Sequence, residues 1–159
     1  FNPILNWQES DIVLGPNQTV YLYRNQSPIG RNFKLNKCTG YLSNLYQFNP
    51  SLPNDCSYID RNEIFAFSGK CQNIITSLGN CRSPSNSQLN SPEAINDSAC
   101  RAYLDTLDYR GCYDRYHQNI DFFSNEWRVW LDKNISFDPD HDRLQLFDKQ
   151  GLLVDEYIY

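Results

Sequence analysis

The sequence has no methionine, only two histidines and no long run of apolar residues. A helix that crosses a membrane needs about 18 or more consecutive apolar residues, so no segment is suited to that role. Two histidines leave little for metal binding, and no G-x-S-x-G motif is present for nucleophilic catalysis. The absence of methionine predicts a chain without its initiator segment, either a processed mature protein or an excised domain.

The sequence also lacks an excess of basic residues. Its formal net charge is −5, and a negative chain is a poor partner for the phosphates of nucleic acid. The nearest approach to a basic patch comprises Arg24, Arg31, Lys34 and Lys37, and we interpret it as a solvated polar face. We therefore expect no nucleic-acid partner.

Six cysteines are present, and all lie in the middle of the chain. Their even number, together with the absence of C-x2-C and H-x3-H pairs, favours disulfides over zinc, with reduced core cysteines as the alternative. We expect disulfides at Cys38, Cys56, Cys71, Cys81, Cys100 and Cys112. Pairing between neighbours along the chain (38–56, 71–81 and 100–112) is the first hypothesis among many.

Four Asn-x-Ser/Thr sequons begin at Asn17, Asn25, Asn96 and Asn134. Each is a glycan acceptor in a secreted protein, although a chain rich in Asn and Ser also contains such triplets by chance. Together with the cysteines, they predict a secreted protein of the extracellular space or cell envelope.

The chain divides into three zones within one domain, 1–159. The β zones are 1–35 and 116–159, and the cysteine-rich insertion 36–115 lies between them. In the first zone, strands are expected at 12–14 and 20–23, separated by a Gly-Pro-Asn turn. The insertion is expected to be rich in loops and to hold two short helices. One covers about 71–78, and the other begins at Ser91 or Asp97 and runs to about Leu107.

The last zone ends in a predicted β-hairpin. A strand is expected over 127–131, followed by a loop. Leu144 and Leu146 then alternate with polar residues, which is the period of a half-buried strand. The residues 148–151 form a turn with Gly151 at the position that favours positive φ, and 152–159 form the final strand.

These closing residues resemble the end of lamin-tail domains. The stretch 125–131 and the segment from His141 to Tyr159, with its Asp, strand, Asp-x-x-Gly and strand pattern, are similar to that family's last strands. The segments Asn36-Lys-Cys-Thr-Gly-Tyr-Leu42 and Pro50-Ser-Leu-Pro-Asn-Asp-Cys56 resemble cysteine-bearing insertions of its bacterial secreted members. The resemblance implies a mainly β fold, an immunoglobulin-like β-sandwich with a disulfide-stapled, partly helical insertion. It also implies a non-catalytic module.

Candidate chemistry is sparse. Glu126, Asp114 and Asp121 are carboxylates near tryptophans, but a glycosidase needs two at a set separation across a cleft. We expect solvated side chains there, and no enzyme activity.

Two candidate binding sites remain, each with a plainer alternative. Asp138, Asp140 and Asp142 alternate as calcium ligands do, or belong to a polar loop. Trp130, Tyr113 and Tyr116 are candidates for stacking against sugars, or for core packing.

The sequence therefore predicts a non-catalytic extracellular structural or interaction module. An open sheet edge would let it self-assemble into a filament or bind an envelope protein. The alternative is a carbohydrate-binding module that uses exposed aromatic side chains. We expect no cofactor, with calcium as the one alternative.

Overall fold

The computed structural model of the chain describes residues 12–57, 59–133, 136, 138 and 140–158. Within these residues the chain forms five strands and seven short helices. In chain order these elements are β1 (Thr19–Tyr23), β2 (Phe33–Asn36), α1 (Thr39–Leu45), α2 (Arg61–Ile64), α3 (Gly69–Ser77), α4 (Asn86–Leu89), α5 (Pro92–Ile95), α6 (Ser98–Leu104), α7 (Tyr109–Tyr116), β3 (Phe123–Trp130), β4 (Arg143–Phe147) and β5 (Leu153–Ile158). None of the described helices has the length and apolar character to span a membrane.

Strand β3 is the centre of a three-stranded sheet, with β1 on one side and β2 on the other. β1 runs parallel to β3, with Tyr23 opposite Trp130, and β2 runs antiparallel to it, with Phe33 opposite Arg128. The carboxyl ends of parallel strands meet at the same edge of a sheet. The segments that follow β1 and β3 therefore lie side by side, and the Leu131 N–H donates to the Tyr23 carbonyl at 2.8 Å.

An aromatic core packs against this sheet. The Trp130 ring lies 5.5 Å from the Phe33 ring and 5.7 Å from the Phe48 ring, measured between centroids. Such pairs stabilise a core beyond the area that they bury. The buried members of this cluster are Phe33, Leu35, Leu42, Phe48, Leu52 and Trp130.

The residue before each of the helices α2 to α7 determines where that helix begins. Each is preceded by a Ser or Asp side chain that accepts a hydrogen bond from a backbone N–H of the first turn, which satisfies a group that the helix leaves without a partner. These capping residues are Asp60, Ser68, Ser85, Ser91, Asp97 and Asp108. Between the helices lies a second core of Ile64, Cys71, Ile75, Ala94, Cys100, Leu104 and Leu107.

A third buried cluster contains two of the three disulfides. Cys38 bonds to Cys112, and Cys56 to Cys81, beside the buried Tyr41 and Phe122. Asn36 completes the packing at the end of β2, where its side chain accepts from the Cys38 N–H at 2.8 Å and donates to the Tyr109 hydroxyl at 3.0 Å. This cluster ties the sheet to α7.

The prediction of a mainly β, immunoglobulin-like sandwich is wrong. The described residues form only two small sheets, of three and two strands. All side chains of β4 are exposed, so within the described part of the chain no second sheet covers that strand as a sandwich requires. The largest buried cluster lies instead between helices, because six Ser or Asp caps start helical turns throughout the cysteine-rich zone.

Most predictions of single strands and helices are confirmed, although the predicted architecture is wrong. Strands at 20–23 and 127–131 and the closing hairpin are confirmed as β1, β3 and β4–β5. The helix at 71–78 is confirmed as α3. For the second helix the predicted start at Asp97 is confirmed by α6, whereas Ser91 begins the separate helix α5. The expected strand at 12–14 is wrong, since residues 12–14 form no regular element and the side chains of Val13 and Leu14 are exposed.

Candidate functional site

The closing hairpin is the most distinctive exposed feature of the described chain. β4 and β5 pair antiparallel, with Leu144 opposite Tyr157 and Gln145 opposite Glu156. The Asp148 carboxylate accepts from the Gln150 and Leu152 N–H groups at 2.9 and 2.8 Å and holds the turn between them. Gly151 has a φ of +81°, in the left-handed region that favours glycine. The turn therefore defines the strand register.

Apolar side chains of the hairpin are open to solvent. Leu144 is 44 % exposed, Leu146 is 50 % exposed and Tyr157 is 63 % exposed. Phe147, Leu153, Val154 and Ile158 are exposed as well. A two-stranded hairpin is marginally stable in water without a covering partner. A partner that covers these side chains would gain on the order of 1 kcal/mol of binding free energy for each side chain removed from water.

Charge distinguishes the two strands of the hairpin. The Arg143 guanidinium lies 2.6 Å from the Glu156 carboxylate, to which the Gln145 amide also donates at 3.1 Å. The hydrogen bond from Arg143 lowers the pKa of the Glu156 carboxyl from its ordinary value. β4 carries Arg143 as its one charged residue, whereas β5 carries the adjacent carboxylates Asp155 and Glu156.

No known protein family, curated protein or solved structure matches this chain. The resemblance to lamin-tail domains therefore stays a prediction from the sequence.

All six cysteines form disulfides, as predicted, but the predicted pairing is wrong. The bonds are Cys38–Cys112, Cys56–Cys81 and Cys71–Cys100. Pairing between neighbours along the chain fails because the helices bring distant cysteines together. α3 and α6 pack in one core and place Cys71 beside Cys100, although 29 residues separate them in sequence.

The three aromatic residues that were candidates for sugar stacking do not form one surface. Trp130 is only 4 % exposed, and its ring is packed against Tyr23, Phe33 and Phe48. It has no free face for a sugar, so the plainer alternative of core packing holds for it. Tyr113 and Tyr116 belong to the separate cluster around Cys38–Cys112.

The carboxylates considered for catalysis lie beside cations. Asp121 is 2.6 Å from the Lys37 ammonium, Glu126 forms an ion pair with Arg128, and Asp114 is 3.9 Å from Arg110. The hydrogen bond from Lys37 lowers the pKa of the Asp121 carboxyl, which keeps it ionised rather than poised to donate a proton.

The candidate calcium ligands lie in the segment before β4. The Asp138 N–H donates to the Asp142 carboxylate, and the Asp140 N–H donates to the Asp138 carboxylate at 3.0 Å. Across the described residues, no group of three His, Cys, Asp or Glu side chains is placed to hold a metal. Calcium binding by Asp138, Asp140 and Asp142 stays a prediction from the sequence.

Three of the four sequon asparagines are exposed, namely Asn17, Asn25 and Asn96. Each of them is therefore accessible to glycosylation. Asn134 lies outside the described residues.

Proposed function

We propose that this chain is a non-catalytic extracellular interaction module that associates with a second copy of itself through strand β4. Its three disulfides support the compartment, because such bonds persist in oxidising surroundings. The observation that carries the proposal is the hairpin, which exposes apolar side chains on strands that each have one described neighbour. An open strand edge of this kind binds another strand by backbone hydrogen bonds.

The charges favour β4 over β5 as the pairing edge. When two copies of β5 run antiparallel about the strand centre, Asp155 and Glu156 of one lie against those of the other, and like charges opposite each other are destabilising. When two copies of β4 pair about Gln145, Leu144 of each lies opposite Leu146 of the other. Arg143 then lies opposite Phe147, so no like charges oppose each other.

This register makes a four-stranded antiparallel sheet with two hairpins back to back. Tyr157, Leu144 and the second copy's Leu146 would form a row of apolar side chains across it. A contact made by one strand pair is small, and interfaces below about 1,200 Å² are weak and transient. We therefore expect a dimer that forms reversibly as the protein concentration rises.

Charge-swapped variants test the pairing. Leu144→Lys with Leu146→Lys should give a monomer, because lysines then oppose lysines. Leu144→Glu with Leu146→Glu should also be monomeric. An equal mixture of the two variants should form a heterodimer, since opposite charges then lie across the strand pair. Sedimentation equilibrium up to millimolar concentration measures all three.

Ile95→Lys with Ile120→Lys is the matched control, because it adds the same charge at two other exposed apolar residues. This control should dimerise like the unmodified chain. A monomeric unmodified chain at millimolar concentration would contradict the proposal. So would an equal loss of association in the control, or a mixture of the swapped variants that stays monomeric.

A further inference from the structure

Two adjoining clefts lie at the carboxyl ends of the parallel strands β1 and β3. The larger has a volume of about 750 Å³ and is lined by Arg24, Asn25, Asn49 and Lys133, among others. The smaller has a volume of about 240 Å³ and is lined by Ser27, Arg31 and Trp130, among others. Gln26 and Asp132 belong to the walls of both. We call them the paired clefts.

The walls of the paired clefts are held together by hydrogen bonds between separate segments. The Lys133 N–H donates to the Arg24 carbonyl at 3.0 Å, which joins the segments that follow β3 and β1. The Asn25 amide donates to the Asn49 carbonyl at 3.2 Å. This hydrogen bond attaches the segment around Asn49, which forms a third wall of the larger cleft. The clefts are thus formed before any ligand arrives, which lowers the entropic cost of binding.

Two polar groups in the smaller cleft's walls are buried and have no hydrogen-bond partner among the described residues. They are the Trp130 indole N–H and the Ser27 hydroxyl. Trp127 provides a contrast, because its indole N–H donates to the Gln18 side-chain oxygen at 3.3 Å. A buried polar group without a partner is destabilising, so it needs an explanation such as a ligand that supplies the missing hydrogen bond.

The paired clefts attract negative charge although the chain as a whole is acidic. Their walls carry Arg24, Arg31 and Lys133 against one carboxylate, Asp132, in a chain with a net charge of −5. Neither Arg31 nor Lys133 forms an ion pair within the described part of the chain. Opposite charge concentrated in a concave site raises the local concentration of an anionic ligand.

The remaining wall groups indicate which anion fits. Asn25, Gln26 and Asn49 bring amides that both donate and accept, as the hydroxyls of a sugar do. The larger cleft has room for more than an inorganic ion. We propose that the paired clefts bind an acidic saccharide. Arg31 in the smaller cleft and Lys133 in the larger each hold a carboxylate or sulfate group of it, and the Trp130 indole N–H and the Ser27 hydroxyl donate to its oxygen atoms.

An NMR titration of the whole chain tests this site directly. Because Asn25 is also a glycan acceptor, the protein is prepared without N-glycosylation. The probes are a tetragalacturonate, a sulfated tetrasaccharide, the neutral methyl ester of the tetragalacturonate, and inorganic sulfate. We expect saturable binding of at least one acidic tetrasaccharide, and a downfield shift of the Trp130 indole N–H as it gains an acceptor. The indole N–H of Trp127 should stay in place.

Variants that each remove one positive charge test whether the saccharide binds in the paired clefts. Arg31→Gln and Lys133→Gln should each raise the dissociation constant by roughly tenfold, because each removes a charge-assisted hydrogen bond. Arg110→Gln and Lys149→Gln remove the same charge elsewhere on the surface and should leave it unchanged. The proposal is overturned if neither acidic tetrasaccharide binds, or if the methyl ester or inorganic sulfate binds equally well. It is also overturned if the two control variants weaken binding as much as the cleft variants.

Discussion

At the scale of single residues, Asn36 connects three parts of the chain through its hydrogen bonds. Its N–H donates to the Thr39 hydroxyl at 2.8 Å, and its buried side chain joins the Cys38 backbone to the Tyr109 hydroxyl.

Burial raises the pKa of Tyr109 to about 12, and the hydrogen bond from Asn36 acts in the opposite direction. Burial raises the pKa of Tyr41 and Tyr103 too.

The raised pKa of Tyr109 predicts a loss of stability at alkaline pH. An unfolded tyrosine loses its proton near pH 10, whereas the folded chain keeps the Tyr109 proton until about pH 12. Between these values the unfolded state binds fewer protons, so the free energy of unfolding falls as pH rises. The expected fall from Tyr109 is on the order of 2 kcal/mol. Guanidinium unfolding at several pH values measures it.

Tyr109→Phe is the control for this titration. Without the hydroxyl, the decline of stability between about pH 10 and 12 should become shallower. At neutral pH the same variant should lose about 1–2 kcal/mol, since the Asn36 amide loses its acceptor. Equal slopes for the variant and the unmodified chain would show that Tyr109 does not carry the effect.

At the scale of elements, the short helices are defined by their first turns. α7 begins after Asp108, whose carboxylate accepts from the Gly111 N–H at 2.7 Å. Gly111 also lets this turn approach the preceding segment closely. A β-carbon added there would lie only 2.0 Å from the Thr106 carbonyl oxygen. The start of α7, and with it the position of Cys112, therefore depends on glycine at 111.

Gly111→Ala is expected to destabilise the protein by about 2 kcal/mol or more, because backbone atoms have to move to admit the methyl group. Gly69→Ala is the matched control, since Gly69 also lies in the first turn of a helix and has nothing within 4 Å of an added β-carbon. The free energy of unfolding of Gly69→Ala should stay within about 0.5 kcal/mol of that of the unmodified chain. Urea unfolding of both variants measures the difference, and similar midpoints would contradict the prediction.

At the scale of the whole molecule, the disulfides connect parts of the chain that no single sheet unites. Cys38–Cys112 spans 74 residues and links the end of β2 to α7, whereas Cys56–Cys81 and Cys71–Cys100 span 25 and 29 residues. A bond that closes a longer loop restricts the unfolded chain more. The fold is thus tied most strongly at the junction between the sheet and the helices.

Replacing each disulfide by two alanines tests this ranking. Loss of Cys38–Cys112 should lower the free energy of unfolding by roughly 1 kcal/mol more than loss of either shorter bond, on loop-closure entropy. Thermal and guanidinium unfolding of the three variants gives the order. A Cys38–Cys112 variant that is the most stable of the three would contradict it.

How far the sequence could predict the structure depends on the range of the interactions involved. The hairpin followed from the alternation at Leu144 and Leu146 and from the turn before Gly151, which are local signals. Asp97 marked the start of α6 for the same reason. The sandwich was wrong because local strand signals do not say whether two sheets meet. The paired clefts went unpredicted because Lys133 comes near Arg24 only through the parallel pairing of β1 and β3, and near Arg31 only through the antiparallel pairing of β2 and β3.

By itself, the sequence determined the oxidised cysteines, the closing hairpin and the helix starts at Ser91 and Asp97, because each depends on residue types and on neighbours a few positions away. Tertiary structure decided which cysteines pair, that the ring faces of Trp130 are packed in the core, and that the hairpin side chains are left uncovered by the other described residues. These outcomes depend on contacts between residues far apart in the chain. Such contacts form only when the helices and the sheet pack together, and hydrophobic burial drives that packing without regard to sequence distance.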